Sequence, residues 1–136
     1  MIPYHGSPDF PRQVAFDVNP LLNKSVAIGY AVGGAVTQLT SKATGVTLNA
    51  FGGQITMNNA ALAAATSVSF TLTNDQIAAT DNVLVSIASG ATAGSYMVGV
   101  QAIAAGSCSI HVRNLSAGIL SEALVLVFTV IKGAIA

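Results

Sequence analysis

The chain has 136 residues, with five acidic and five basic side chains and a formal net charge of zero. Charged residues make up 7% of it, against roughly 25% in ordinary globular chains, so Ser, Thr, Asn and Gln must supply most of the polar surface. That balance, with Arg12, Lys24, Lys42, Arg113 and Lys132 scattered along the chain, excludes a basic nucleic-acid-binding surface, and the single cysteine, Cys108, excludes an intrachain disulfide framework.

The length fits one domain plus at most an arm. By the usual scaling a monomer of 13.6 kDa exposes roughly 6,600 Å². Ten charges are few for that area, so much of the surface is expected to lie against other protein. Residues 1–23 hold all four prolines, Pro3, Pro8, Pro11 and Pro20, which fix φ and bias their predecessors towards extended conformations. They predict an extended arm, which either docks on a partner or a neighbouring subunit with Tyr4, Phe10 and Phe16 as its anchors or folds over its own sandwich. The start of the chain has neither the basic nor the apolar region of a signal peptide, which predicts synthesis in a cytoplasm without export by that route.

Residues 24–136 read as a β domain. Strand candidates are 25–32, with Gly33 and Gly34 turning or bulging the chain before 35–39, then 44–48, and 54–57 after a turn at Gly52 and Gly53. Residues 58–65, rich in alanine behind Asn58 and Asn59, predict one or two helical turns. Residues 66–73 alternate cleanly, with Val68, Phe70 and Leu72 inward and Ser67, Ser69, Thr71 and Thr73 outward. Strands 82–87, 95–103 and 107–113 follow, separated by Gly- and Asn-containing turns, with Cys108, Ile110 and Val112 inward on the last. The run 122–132 is the most apolar in the chain and apolar on both faces. Leu124, Leu126, Phe128 and Val130 share one face, Val125, Val127 and Ile131 the other, so both should be covered, one by the core and the other by a second layer or a neighbouring subunit. We take Leu124, Leu126, Phe128 and Val130 as the second-layer or oligomer face. The run is too short to span a membrane, which needs about 20 apolar residues. Short strands at this spacing predict an all-β, antiparallel sandwich of jelly-roll or immunoglobulin-like type.

No catalytic, cofactor or metal constellation is apparent. Cys108 and His111 have opposite parity on one strand and cannot share a metal or form a nucleophile–base pair. Asp75 and Asp81 sit at turns, where backbone hydrogen bonding explains them. The Gly-Gly pairs lack the Lys-Ser/Thr of a phosphate loop. A lectin-like or carbohydrate-active domain is disfavoured by the absence of Trp and of an acidic pair.

The segments 40–49 (TSKATGVTLN), 53–58 (GQITMN), 68–74 (VSFTLTN), 105–114 (AGSCSIHVRN) and 120–124 (LSEAL) together resemble a small β-sandwich module of tailed-bacteriophage structural proteins, over roughly residues 37–133. That module occurs in capsid-decorating (cement) proteins and as a domain of fibre proteins. The resemblance implies no enzymatic residues and no cofactor. It implies a virion protein on the capsid surface, made in a host cytoplasm, whose partners are the major capsid protein and itself, as a homo-oligomer and most simply a trimer. Neither nucleic acid nor membrane is an implied partner. A single module with a short arm fits head decoration; a tail or head fibre, or a receptor-binding module, is the alternative.

Overall fold

The computed structural model describes residues 29, 30 and 33–134. The arm, with Tyr4, Phe10 and Phe16, and most of the strand candidate at 25–32 lie outside the described residues. The described chain forms eight strands: β1 (Gly34–Thr37), β2 (Val46–Thr47), β3 (Gly52–Thr56), β4 (Ser67–Thr73), β5 (Asn82–Ser89), β6 (Tyr96–Ala104), β7 (Ser107–Asn114) and β8 (Val125–Ile131). They build two four-stranded sheets, ordered β1-β3-β8-β5 and β2-β4-β7-β6.

The core between the sheets follows the period-2 patterning. Phe70 and Leu72 of β4, Cys108, Ile110 and Val112 of β7, and Ile55 of β3 point inward and are buried. On the same sheet as Ile55, and facing β4 and β7, stand Leu124, Leu126, Phe128 and Val130, each at most 1% exposed. The four residues read as a second-layer or oligomer face therefore fill the space between the two layers of one subunit. The outer side of β8 carries half-buried Val125, Val127 and Thr129 and exposed Ile131.

Three expectations are corrected. The sheets are mixed: β1 pairs with β3, and β2 with β4, in parallel. The cause is connectivity, because only β6 and β7 follow one another within a sheet and every other connection crosses between layers. Strands two apart in sequence thus return to the same sheet running the same way. Gly52 and Gly53 do not turn the chain but open β3, with Gly53 opposite Gly34 of β1. A Cβ on Gly53 would lie 2.7 Å from both the Gly34 carbonyl oxygen and a Leu48 methyl, so the glycines let Leu48 reach across this corner of the core.

Residues 58–65 form no helix, and there is none among the described residues. The Asn58 carboxamide accepts from the Ala60 N–H in a local turn. Leu62 and Leu120 then pair as an isolated antiparallel bridge, bonded in both directions at 2.8 and 3.1 Å. Asn114 takes the Leu62 and Ala63 carbonyls. A stretch this short gains little from alanine propensity, and tertiary partners for its backbone prevail.

Candidate interaction surfaces

The outer faces of the two sheets differ in chemistry. The strands of the first sheet read GAVT, GGQIT, NVLVSIAS and VLVFTVI, without one charged residue. Cross-strand register aligns their outward positions in rows: Ala35, Gln54, Val127 and Ser86 in one, Gly52, Thr129 and Leu84 in the next, then Ile131 and Asn82. Leu84 and Ile131 are 50% and 45% exposed. At the Ile131 end, Tyr30 lies on this face. Its ring stacks on Phe51 at 5.1 Å between centroids and its hydroxyl donates to the Val130 carbonyl. Gly29, Tyr30, Thr129 and Ile131 line an apolar hollow of about 310 Å³ there.

The outer face of the second sheet is a hydroxyl surface. Ser67, Ser69, Thr71 and Thr73 of β4 stand beside Arg113, His111, Ser109 and Ser107 of β7. Met97, Gly99 and Gln101 of β6 complete the rows. Ser69 and His111 are hydrogen-bonded at 3.1 Å, and Arg113 donates to the Ser67 hydroxyl. Cys108 points the other way into the core, where burial pushes its thiol up to about 11. It is an inert apolar filler.

Buried polar clusters stand at both ends of β8. Before it, Lys42, 3% exposed, donates to the backbone carbonyls of Asn58 and Glu122. Burial lowers its pKa, with the Glu122 carboxylate opposing. Gln38 donates to the Lys42 and Thr44 carbonyls and accepts from the Asn58 N–H, so this loop is pinned to the β8 lead-in. Beyond β8, Lys132 pairs with Asp81 at 2.6 Å, and the N–H groups of Ala78 and Gly133 donate to the same carboxylate. Asp75, by contrast, accepts among the described residues only from its neighbour Gln76 and stays exposed, and it forms no pair with Asp81. Sequence reasoning missed these clusters. Among the described residues, no group of three His, Cys, Asp or Glu side chains could hold a metal ion, and no helix is long and apolar enough to cross a membrane.

The Lys132 hydrogen bond, followed by the two backbone donors, holds the Asp81 carboxyl down to about 2 from an ordinary 3.8. A carboxyl depressed by folding stabilises the native state above its unfolded pKa, and that contribution disappears as pH falls through the folded value. Stability is therefore expected to drop between about pH 4 and pH 2. Asp81→Asn should lower stability at neutral pH and flatten that acid limb. Denaturant melts across this range check it, and an unchanged limb would remove Asp81 as its source.

No known protein family, curated protein or solved structure matches the chain. Fold and surfaces define a two-sheet β-sandwich with one uncharged outer face and one hydroxyl-bearing outer face.

Proposed function

We propose that the chain is a structural protein of a tailed-bacteriophage virion, a decoration (cement) protein that binds the outer surface of the head and stabilises contacts between capsomers. The observation that carries this reading is the uncharged outer face of the β1-β3-β8-β5 sheet, opposite a hydroxyl-rich face suited to solvent. It joins the likeness of the strand and turn segments to the phage module. The four strands, of four, five, eight and seven residues, average about 20 Å in length and lie about 4.8 Å apart, so the sheet projects roughly 380 Å², about half of the 800 Å² that each partner buries in a standard interface. On sequence grounds Tyr4, Phe10 and Phe16 of the arm supply the remainder, since an aromatic side chain buries about 150–250 Å². The major capsid protein is the partner on this reading.

The test is co-sedimentation of purified protein with heads that lack it. Wild-type protein should pellet with the heads. Val127→Glu, which sets a carboxylate in the middle of the face, should weaken binding about a hundredfold while leaving the melt nearly unchanged. Protein that ignores heads but adsorbs to host cells would instead support the fibre or receptor-binding reading.

A further inference from the structure

We infer that β6 pairs edge to edge with β6 of a second copy of this chain. Among the described residues β6 is the outermost strand of its sheet, and at nine residues it is the longest of the four edges. The edges β1 and β2 have only four and two residues, and β5 begins beside the Asp81–Lys132 ion pair. Soluble proteins blunt long edges with charge or proline. The β6 sequence, YMVGVQAIA, contains neither.

The hydrogen-bonding groups of β6 that point away from β7, unpaired among the described residues, can be assigned. The Leu115 N–H donates to the Ser95 carbonyl, and the β6–β7 register continues as Met97 with Arg113, Gly99 with His111 and Gln101 with Ser109. In an antiparallel ladder bonded and non-bonded pairs alternate. The odd-numbered residues of β6 therefore bond β7, and the N–H and C=O groups of Val98 and Val100 point out of the open edge. The side chains of these two valines face inward but are only half-buried, whereas Ile110 and Val112, beside them on β7, are fully buried. A further strand would satisfy the edge and cover them.

A second β6 fits about a two-fold axis at Gly99. Val98 then meets Val100 of the other copy, and the two residues exchange both hydrogen bonds on each side of the axis, four in all. Gly99 faces its own copy at a non-bonded pair, where strands approach most closely and a residue without a side chain is best accommodated. Met97 meets Gln101, and no like charges are opposed. The ladder stops at Ala102, whose φ of 53° begins the bulge between Gln101 and Ala104. This contact uses the second sheet and is independent of the proposed head-binding face.

The test combines sedimentation with residue-resolved amide exchange of the full chain over a concentration series. A dimer is expected, with Val98 and Val100 amides protected only at concentrations where it forms. The Gly99 amide, bonded to β7, should be protected throughout. Val100→Pro removes an outward N–H that β7 does not use, and Val98→Lys puts a charge at the same edge; each should shift the protein to monomer. A wild-type monomer at all concentrations, the trimer implied by the phage resemblance, or a dimer whose Val98 and Val100 amides exchange freely would each overturn the proposal.

Discussion

Phe128→Ala is expected to lower the free energy of unfolding by about 3–5 kcal/mol, the range for removing a buried ring. Phe128 is 1% exposed at the centre of β8, the strand that bonds both β3 and β5. Its neighbours in the cross-strand row are Gly53 and Val85. Glycine offers no side chain to collapse into the space left by the ring, which places the cost towards the upper part of the range. Phe70→Ala on the facing sheet should fall in the same range. Ser69→Ala and Thr71→Ala, on the hydroxyl side of β4, should cost far less. Urea or guanidinium melts of the four variants check this, and a hydroxyl face as sensitive as Phe70 would contradict the register of β4.

Asn114→Ala is expected to cost about 3 kcal/mol or more, because several hydrogen bonds of one fully buried side chain are lost together and each is worth about 0.5–1.5 kcal/mol net. The two N–H groups of the carboxamide of this fully buried residue are shared among the carbonyls of Leu62, Ala63 and Gly118, and its oxygen accepts from the N–H and hydroxyl of Ser116. It holds together the end of β7, the bridge between Leu62 and Leu120, and the turn leading to β8. Alanine removes that donor from three carbonyls, which keep the Leu120 N–H on Leu62, the Thr66 N–H and hydroxyl on Ala63 and the Ser116 hydroxyl on Gly118. Asn114→Asp should be at least as damaging, since it replaces the donating NH₂ with an acceptor among acceptors. Equilibrium unfolding of both variants measures the effect, and a loss below 1 kcal/mol would show that water or a rearranged turn takes over the role.

The parts of this fold that were legible in the sequence are those governed by a local period. Alternation in β4 and β7 identified Phe70, Leu72, Cys108, Ile110 and Val112 as inward, and the two-sheet sandwich followed from the number and spacing of such runs. In β8 the same alternation separated Leu124, Leu126, Phe128 and Val130 from Val125 and Val127, but a strand apolar on both sides does not say which side meets the second sheet. What the period cannot encode is which strands are neighbours. Parallel pairing of β1 with β3 depends on the chain crossing between layers, and no residue in 38–51 announces that. The Gly52–Gly53 pair has the composition of a turn, yet its use is close approach of Gly34 and Leu48.

The buried polar residues were illegible for a related reason. Lys42, Gln38 and Asn114 are ordinary surface types, and their burial depends on carbonyls from distant segments: Glu122 lies 80 residues from Lys42, and Leu62 lies 52 from Asn114. The uncharged outer face was half visible. The poverty of charge was plain from composition, but the separation of a more apolar outer face from a hydroxyl-bearing one needed the strand orders of the two sheets.

The proposed docking through that sheet is tested most directly by an electron cryomicroscopy reconstruction of heads decorated with the purified protein. At a resolution that separates the two sheets, the account predicts β1-β3-β8-β5 against the shell, with Val127 and Leu84 at the contact and the Ser/Thr face of β4 and β7 towards solvent. Density with the hydroxyl face against the shell, or heads that carry no added density at saturating protein, would contradict it.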